Sequence, residues 1–333
     1  MMREIGSEFW DVPQKKEKTK TQFPTVQWYL SGRSALRAII RDLKDVKTIA
    51  FPSWCCDSMV RPFFEAGIAV VYYSVLFQNG FIQTIDLNQD ALFLMDYFGY
   101  STQIEALHPC TIRDVTHSVF TGEYKDADYF FGSLRKWCGI WTGGYAWAKD
   151  GRKLMDGSGS DNGFGETRKK AMKLKAAYIR TGEGVKGDFL RLFEEAEKCL
   201  ETAGIAPAAE RDISLAAYLD DELVRKKRRQ NAKILMDAMP EQLIFRELNE
   251  KDCPMFVPIL VPDGNRDKLK RYLIEHDIYC PTHWPISKYH ALDSQERKLY
   301  DNELSLVCDQ RYDAEDMYRI IETIKGFWRE GKK

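Results

Sequence analysis

The chain has 333 residues, 44% of them hydrophobic and 30% charged, with 49 Lys+Arg against 50 Asp+Glu. A formal charge of -1 and a pI of about 6.6 exclude both a strongly basic nucleic-acid footprint and an acidic tail, and the length admits a large core in one domain or, better, two. No apolar run could span a bilayer and the first twenty residues lack the hydrophobic segment of a secretion signal, so the expectation is a cytoplasmic protein with neither membrane nor nucleic acid as partner.

The elements follow in chain order. After a polar leader, SGRSALRAIIRDLKD (31–45) carries apolar residues at 35, 36, 39, 40 and 43 and predicts an amphipathic helix opened by small residues. KTIAFPSW (47–54) predicts a buried strand, DSMVRPFFEAG (57–67) a helix capped by Asp57 and closed by Gly67, and IAVVYYSV (68–75) a further strand. Strands are again expected at 91–99, 110–115, 127–133 and 143–148. Alternation of this kind predicts an α/β domain with a mostly parallel sheet, whose ligands gather beyond the carboxyl ends of the strands.

The Gly- and Ser-rich stretch 156–166 reads as a loop, followed by a basic helical run (167–180), a helix over 189–201 and the longest helical pattern at 213–239. Beyond residue 240, MFVPILVPD predicts a strand pair or one interrupted strand, 266–277 a helix, LSLVCDQ a strand and 312–330 a terminal helix. The expected division is an N-terminal arm (1–30), a large α/β domain with its connecting helix (31–240) and a smaller C-terminal α+β domain (241–333).

Eight cysteines, at 55, 56, 110, 138, 199, 253, 280 and 308, contain no CxxC pair and read as reduced thiols; five histidines form no HExxH motif, so no metal is expected. Four other signals lie on successive loops. The small residues of SGRSAL (31–36) open a helix whose free N–H groups suit a phosphate, or they are an ordinary cap beside a surface arginine. Asp114, ending a buried strand in DVTHS, either caps a turn or faces a cationic ring nitrogen. In SLRKW (133–137), Lys136 is a solvated stem or an amine nucleophile toward an aldehyde. Glycines at 143 and 144 allow a tight return of the chain close to a ligand.

With GSEFWD (6–11), FPSWCCDSM (51–59), MDYFG (95–99), RDVTHS (113–118), ADYFFGSLRKW (127–137) with its TGG, RRQNAKIL and the segment 304–324, the chain resembles the DegT/DnrJ/EryC1/StrS family of pyridoxal-phosphate-dependent sugar aminotransferases. That resemblance implies the PLP-dependent transferase type I fold and a homodimer with its sites at the subunit interface. It implies that Lys136 binds pyridoxal 5'-phosphate covalently, that Asp114 pairs with the pyridine nitrogen, and that His117 lies near the 3-hydroxyl. It places the phosphate on Gly32, Arg33, Ser34 and Ser133. An aromatic covers the cofactor in the family; Cys56 stands at that place here, and Trp54, the nearest aromatic, joins the cofactor-binding set. Phe131 replaces a phosphate-binding serine, and the family's Asn-x-Arg segment has only Tyr178 and Arg180 as nearest candidates.

The activity so implied is transfer of an amino group from a small-molecule donor such as glutamate to a keto acceptor of the nucleotide-linked keto-sugar kind. A different PLP-dependent reaction (dehydration or elimination) and a non-catalytic binding protein are the alternatives.

Overall fold

The computed structural model describes residues 4–18, 26–78, 80–85, 88–101, 108–121 and 126–331. Two short strands, β1 (Ile5–Gly6) and β2 (Gln27–Tyr29), precede α1 (Gly32–Asp42). There follow β3 (Thr48–Pro52), α2 (Asp57–Glu65), β4 (Ala69–Phe77), β5 (Phe81–Thr84), β6 (Ala91–Met95), β7 (Thr111–Asp114), β8 (Tyr129–Ser133) and β9 (Gly144–Ala148). An eight-stranded sheet runs in the order β2-β9-β8-β7-β6-β3-β4-β5. Its central strands β8, β7, β6, β3 and β4 are parallel, whereas β5 lies antiparallel to β4, β9 to β8 and β2 to β9. This is the mostly parallel α/β sheet, flanked by helices, that the alternation predicts.

Local sequence explains the placement. β6 (ALFLM) and β8 (YFFGS) are buried at every position, as a parallel strand covered on both faces must be. α1 buries Ala35, Leu36, Ala38, Ile39 and Ile40, a stripe at helical spacing, and Ser31 caps it by accepting the Ser34 N–H. Because neighbouring strands are parallel, the ends of β3, β6, β7 and β8 share one edge of the sheet. Met95 pairs in register with Asp114, and Asp114 with Phe131, so the last residues of β6 and β7 form one row there and β8 runs two residues further, to Ser133.

The second half contributes α3 (Phe164–Thr181), α4 (Lys186–Thr202), α5 (Glu210–Ala217), α6 (Asp221–Ala238), β10 (Val257–Leu260), α7 (Arg266–Glu275), β11 (Ile278–Tyr279), α8 (Arg297–Asn302), β12 (Glu303–Leu306) and α9 (Ala314–Glu330). β10 and β12 pair antiparallel, and β11 pairs with β1 in parallel, tying the start of the chain to its C-terminal part. Asp313 and Asp316 form a capping box that starts α9. No helix among the described residues is long and apolar enough to cross a membrane.

Four expectations need correction. The pattern over 213–239 is two helices, because Asp220 caps α6 through the Leu223 N–H and the backbone freed at the break is taken up by the N-terminal arm. There Lys15 N donates to Tyr218 O (2.9 Å) and Asp220 N to Pro13 O (3.0 Å). The cap position of α2 is Cys56; Asp57 lies in its first turn and pairs with Arg61. MFVPILVPD holds one strand, β10. Strands β1, β2 and β5, of 2, 3 and 4 residues, were not anticipated.

Candidate active site

A cavity of about 670 Å³ opens at the carboxyl edge of the sheet, and Gly32, Arg33, Asp114, His117, Ser133 and Lys136 all line it. Lys136 ends a single 3₁₀ turn, Leu134–Lys136, directly after β8. The turn is fixed from outside: Leu134 N donates to Gly143 O (2.9 Å), Trp137 N to Leu134 O (2.9 Å), the Trp137 indole to Thr116 O (2.6 Å) and the Gln310 amide to Trp137 O (2.6 Å). Trp137 is fully buried beneath the Arg228 guanidinium. Next to this anchor Lys136 is exposed and donates to no acceptor among the described residues, so its amine is free to meet a ligand.

Asp114 is buried at the end of β7, with Thr116 N donating to Oδ1 at 2.8 Å. Burial pushes its carboxyl up to about 7; Asp96 adds to the rise, while the Thr116 contacts and Lys136 oppose it. Asp96 is itself clamped by Arg113 (2.9 Å) and the Ser118 hydroxyl (2.6 Å). Burial, then His283 and Lys136, hold the His117 imidazole well below its usual range. Its Nδ1 accepts the Phe98 N–H (3.3 Å), so the neutral ring carries its proton on Nε2.

The start of α1 faces the same space. In its first turn the Ser34 N–H is bonded to Ser31 Oγ and the Ala35 N–H to Ser31 O, which leaves those of Gly32 and Arg33 for an anion. A Cβ at Gly144 would lie 2.0 Å from Ser31 O, so only glycine lets β9 pass this close to the cap. Gly144→Ala is therefore expected to displace the helix start, destabilising the fold by about 1–3 kcal/mol and weakening anion binding; denaturant unfolding and phosphate titration check the two effects.

Two residues of the cofactor-binding set lie elsewhere. Ser34 turns its hydroxyl to Gly204 O (2.9 Å) and does not line the cavity. Trp54 is fully buried and stacked on Tyr97 (5.2 Å, 10°), and its indole N–H donates to His283 O at 2.7 Å. It is a core residue behind the wall, and Cys56 lines the cavity in its stead. Tyr178 packs on Phe189 and Arg180 pairs with Asp11 at the surface; neither lines this cavity. Phe131 does.

Other lining residues come from distant segments that the sequence did not single out. Glu8 enters from the N-terminal arm, where Arg311 donates to the carbonyls of Ser7 and Glu8. Burial raises its carboxyl, but Arg168 and Arg135 outweigh that and bring it down to about 2, so Glu8 is an anion at any working pH. Glu197 is paired with Arg135. His283 and Trp284, between β11 and α8, close the far side, Trp284 stacked on His117 at 6.0 Å. GSEFWD carried the only advance signal, and it gave Glu8 no role. Among the described residues no cluster of His, Cys, Asp and Glu could hold a metal ion.

No family model matches the sequence and no curated protein matches it. Solved structures do match in shape. Helicobacter pylori PseC, an aminotransferase involved in the biosynthesis of pseudoaminic acid, superposes with a TM-score of 0.64 at 16% identity over 97% of this chain and 100% of its own. A DegT DnrJ EryC1 StrS aminotransferase from Brucella abortus gives 0.62 at 16% identity over 92% and 87%. Bacillus subtilis NtdA, solved with bound cofactor PMP, gives 0.59 at 13% identity over 91% and 73%. The chain has the fold these aminotransferases share.

Proposed function

We propose that the protein is a pyridoxal-phosphate-dependent aminotransferase that moves an amino group from a donor such as glutamate to a keto acceptor, with nucleotide-linked keto-sugars as the acceptor class. The observation that carries this is the convergence, in one cavity, of the unpaired Lys136 amine, a buried carboxylate, a neutral histidine and an open helix start. Packing requires no such set. The donors present fit the cofactor: Gly32 N–H, Arg33 N–H and the Ser133 hydroxyl suit its phosphate, Asp114 its ring nitrogen, and His117 Nε2–H its ring oxygen. Bound pyridoxal phosphate supplies an electron sink for the carbon that loses a proton.

Lys136 has two tasks in this reading, holding the cofactor covalently and, once released from it, moving the substrate Cα proton with its Nζ. Asp114 keeps the ring nitrogen protonated, because an anion beside that nitrogen favours its cationic form. His117 donates from Nε2 and stays neutral. The helix start fixes orientation, so that Lys136 keeps its reach to the reacting carbon. A homodimer in the cytoplasm, with a large cofactor domain to residue 240 and a smaller one beyond it, completes the proposal.

The test is a half-reaction. Protein loaded with pyridoxal phosphate is expected to lose its yellow colour on adding L-glutamate and to regain it with 2-oxoglutarate. Bound cofactor that glutamate does not bleach favours an elimination enzyme; absence of binding favours a non-catalytic protein. A finer check concerns the phosphate. In a Lys136→Ala background Ser133→Ala is expected to weaken pyridoxal phosphate by about 1.5–3 kcal/mol, roughly one to two decades in affinity, and to leave pyridoxal without its phosphate unaffected.

A further inference from the structure

His283 is held from three sides by residues that do not themselves touch the cavity. Its backbone N–H donates to Glu303 Oε2, its carbonyl accepts the Trp54 indole N–H (2.7 Å), and its ring Nδ1 lies 2.8 Å from Ser305 Oγ. Glu303 and Ser305 are fully buried. The Ser305 hydroxyl donates its one proton to Glu303 Oε1, so its oxygen can only accept from the ring, and the ring proton sits on Nδ1. In the neutral ring Nε2 is then a bare lone pair on a residue that lines the cavity, without a protein donor among the described residues.

The neighbouring histidine has the opposite tautomer. His117 is 6.2 Å away, ring centre to ring centre, and its bond from Phe98 N leaves it an Nε2–H donor. One wall thus presents a donor and an acceptor side by side, each fixed by its own buried partner. A buried carboxylate and hydroxyl arranged behind a histidine cost desolvation, and packing Phe98, Phe256 and Trp284 around that ring does not call for them.

We propose that His283 is a specificity-determining residue whose Nε2 accepts a hydrogen bond from a hydroxyl beside the acceptor's carbonyl, with Ser305 and Glu303 as the positioning residues that keep that lone pair available. This rests on the aminotransferase reading of the cavity. Lys136 and His117 fix where the carbonyl is processed, and His283 adjoins His117, so the atoms next to the carbonyl are the ones it meets. The site then prefers a hydroxyketone to its deoxy counterpart, since an acceptor covered by a ligand that lacks the donor is left without a partner.

The experiment uses protein first converted to its amino form with L-glutamate, then single-turnover return of colour with dihydroxyacetone or acetone, in wild type, His283→Phe and Ser305→Ala. Failure of the glutamate step sinks the aminotransferase reading and is seen before either ketone is added. Wild type is expected to favour dihydroxyacetone by at least about tenfold; His283→Phe, which keeps a planar ring, is expected to lose the preference, read as the ratio of the two ketones' rates in protein already in its amino form, and Ser305→Ala to reduce it. Wild type that turns over neither ketone, or both equally, overturns the assignment, as does a preference that survives in His283→Phe. Nitrogen-15 spectra of the histidine rings give a readout without substrate: His283 is expected as the neutral Nδ1–H tautomer, with Glu303 Oε1 3.6 Å from the same nitrogen, and Nε2–H in wild type contradicts the proposal.

Discussion

Replacing Lys136 by alanine is expected to lower aminotransfer by on the order of 10⁴ or more, because one side chain supplies both the covalent attachment and the proton-transferring amine. Stability should change by no more than about 0.5 kcal/mol, since the side chain is exposed and its turn is held by Leu134, Trp137 and Gln310. Steady-state assays and denaturant unfolding separate the two. A variant that unfolds easily would show Lys136 to be part of the framework, and one that retains a tenth of the activity would move the chemistry to another residue.

Asp114→Asn is expected to act in opposite directions on empty and loaded protein. The folded carboxyl, raised to about 7 by burial, binds a proton more tightly than in the unfolded chain. Its contribution to stability is therefore complete below about pH 4 and is lost as pH rises through about 7. Asparagine does not titrate. Cofactor-free D114N should accordingly match wild type near pH 4 and exceed it above pH 7 by on the order of 2–4 kcal/mol. In the loaded enzyme a cationic ring nitrogen makes the carboxylate favourable, and there the same change should reduce the rate by at least about 10². Chemical denaturation of the empty protein across pH 4 to 9, in steps of about one unit, gives the first result, and single-turnover kinetics the second. A stability difference that does not vary with pH would mean that Asp114 is already ionised when the cavity is empty.

The sheet was legible where strands are apolar throughout. ALFLM and YFFGS are buried at every position, which places them inside a sheet covered on both faces, where parallel strands prevail. β1 and β2 were invisible because two or three residues show no period, and they are held by partners far along the chain, β11 and β9. The break at 218–220 is hidden for a related reason: the apolar pattern runs on through it, and the Asp220 cap together with the arrival of Pro13 and Lys15 explains the interruption.

For the site, Asp114 and Lys136 were readable because each ends a buried strand or the turn just after it, and sequence order then dictates that both reach one edge. Trp54 misled because nearness to Pro52 says nothing of which way a ring turns; its stacking on Tyr97 takes it into the core. Ser34 misled because a helix start has few donors and the cap itself uses some of them. Glu8, His283 and Glu303 could not be read, since their meaning lies in contacts with Arg168, Ser305 and each other across the fold.

The central claim is that Lys136 is the residue through which this cavity acts on a carbonyl group. Borohydride treatment of protein loaded with pyridoxal phosphate, followed by peptide mapping, tests it directly. The account predicts a single modified peptide containing Lys136, with no fixation after prior conversion by L-glutamate. Label on any other lysine, or equal labelling of several, would contradict it.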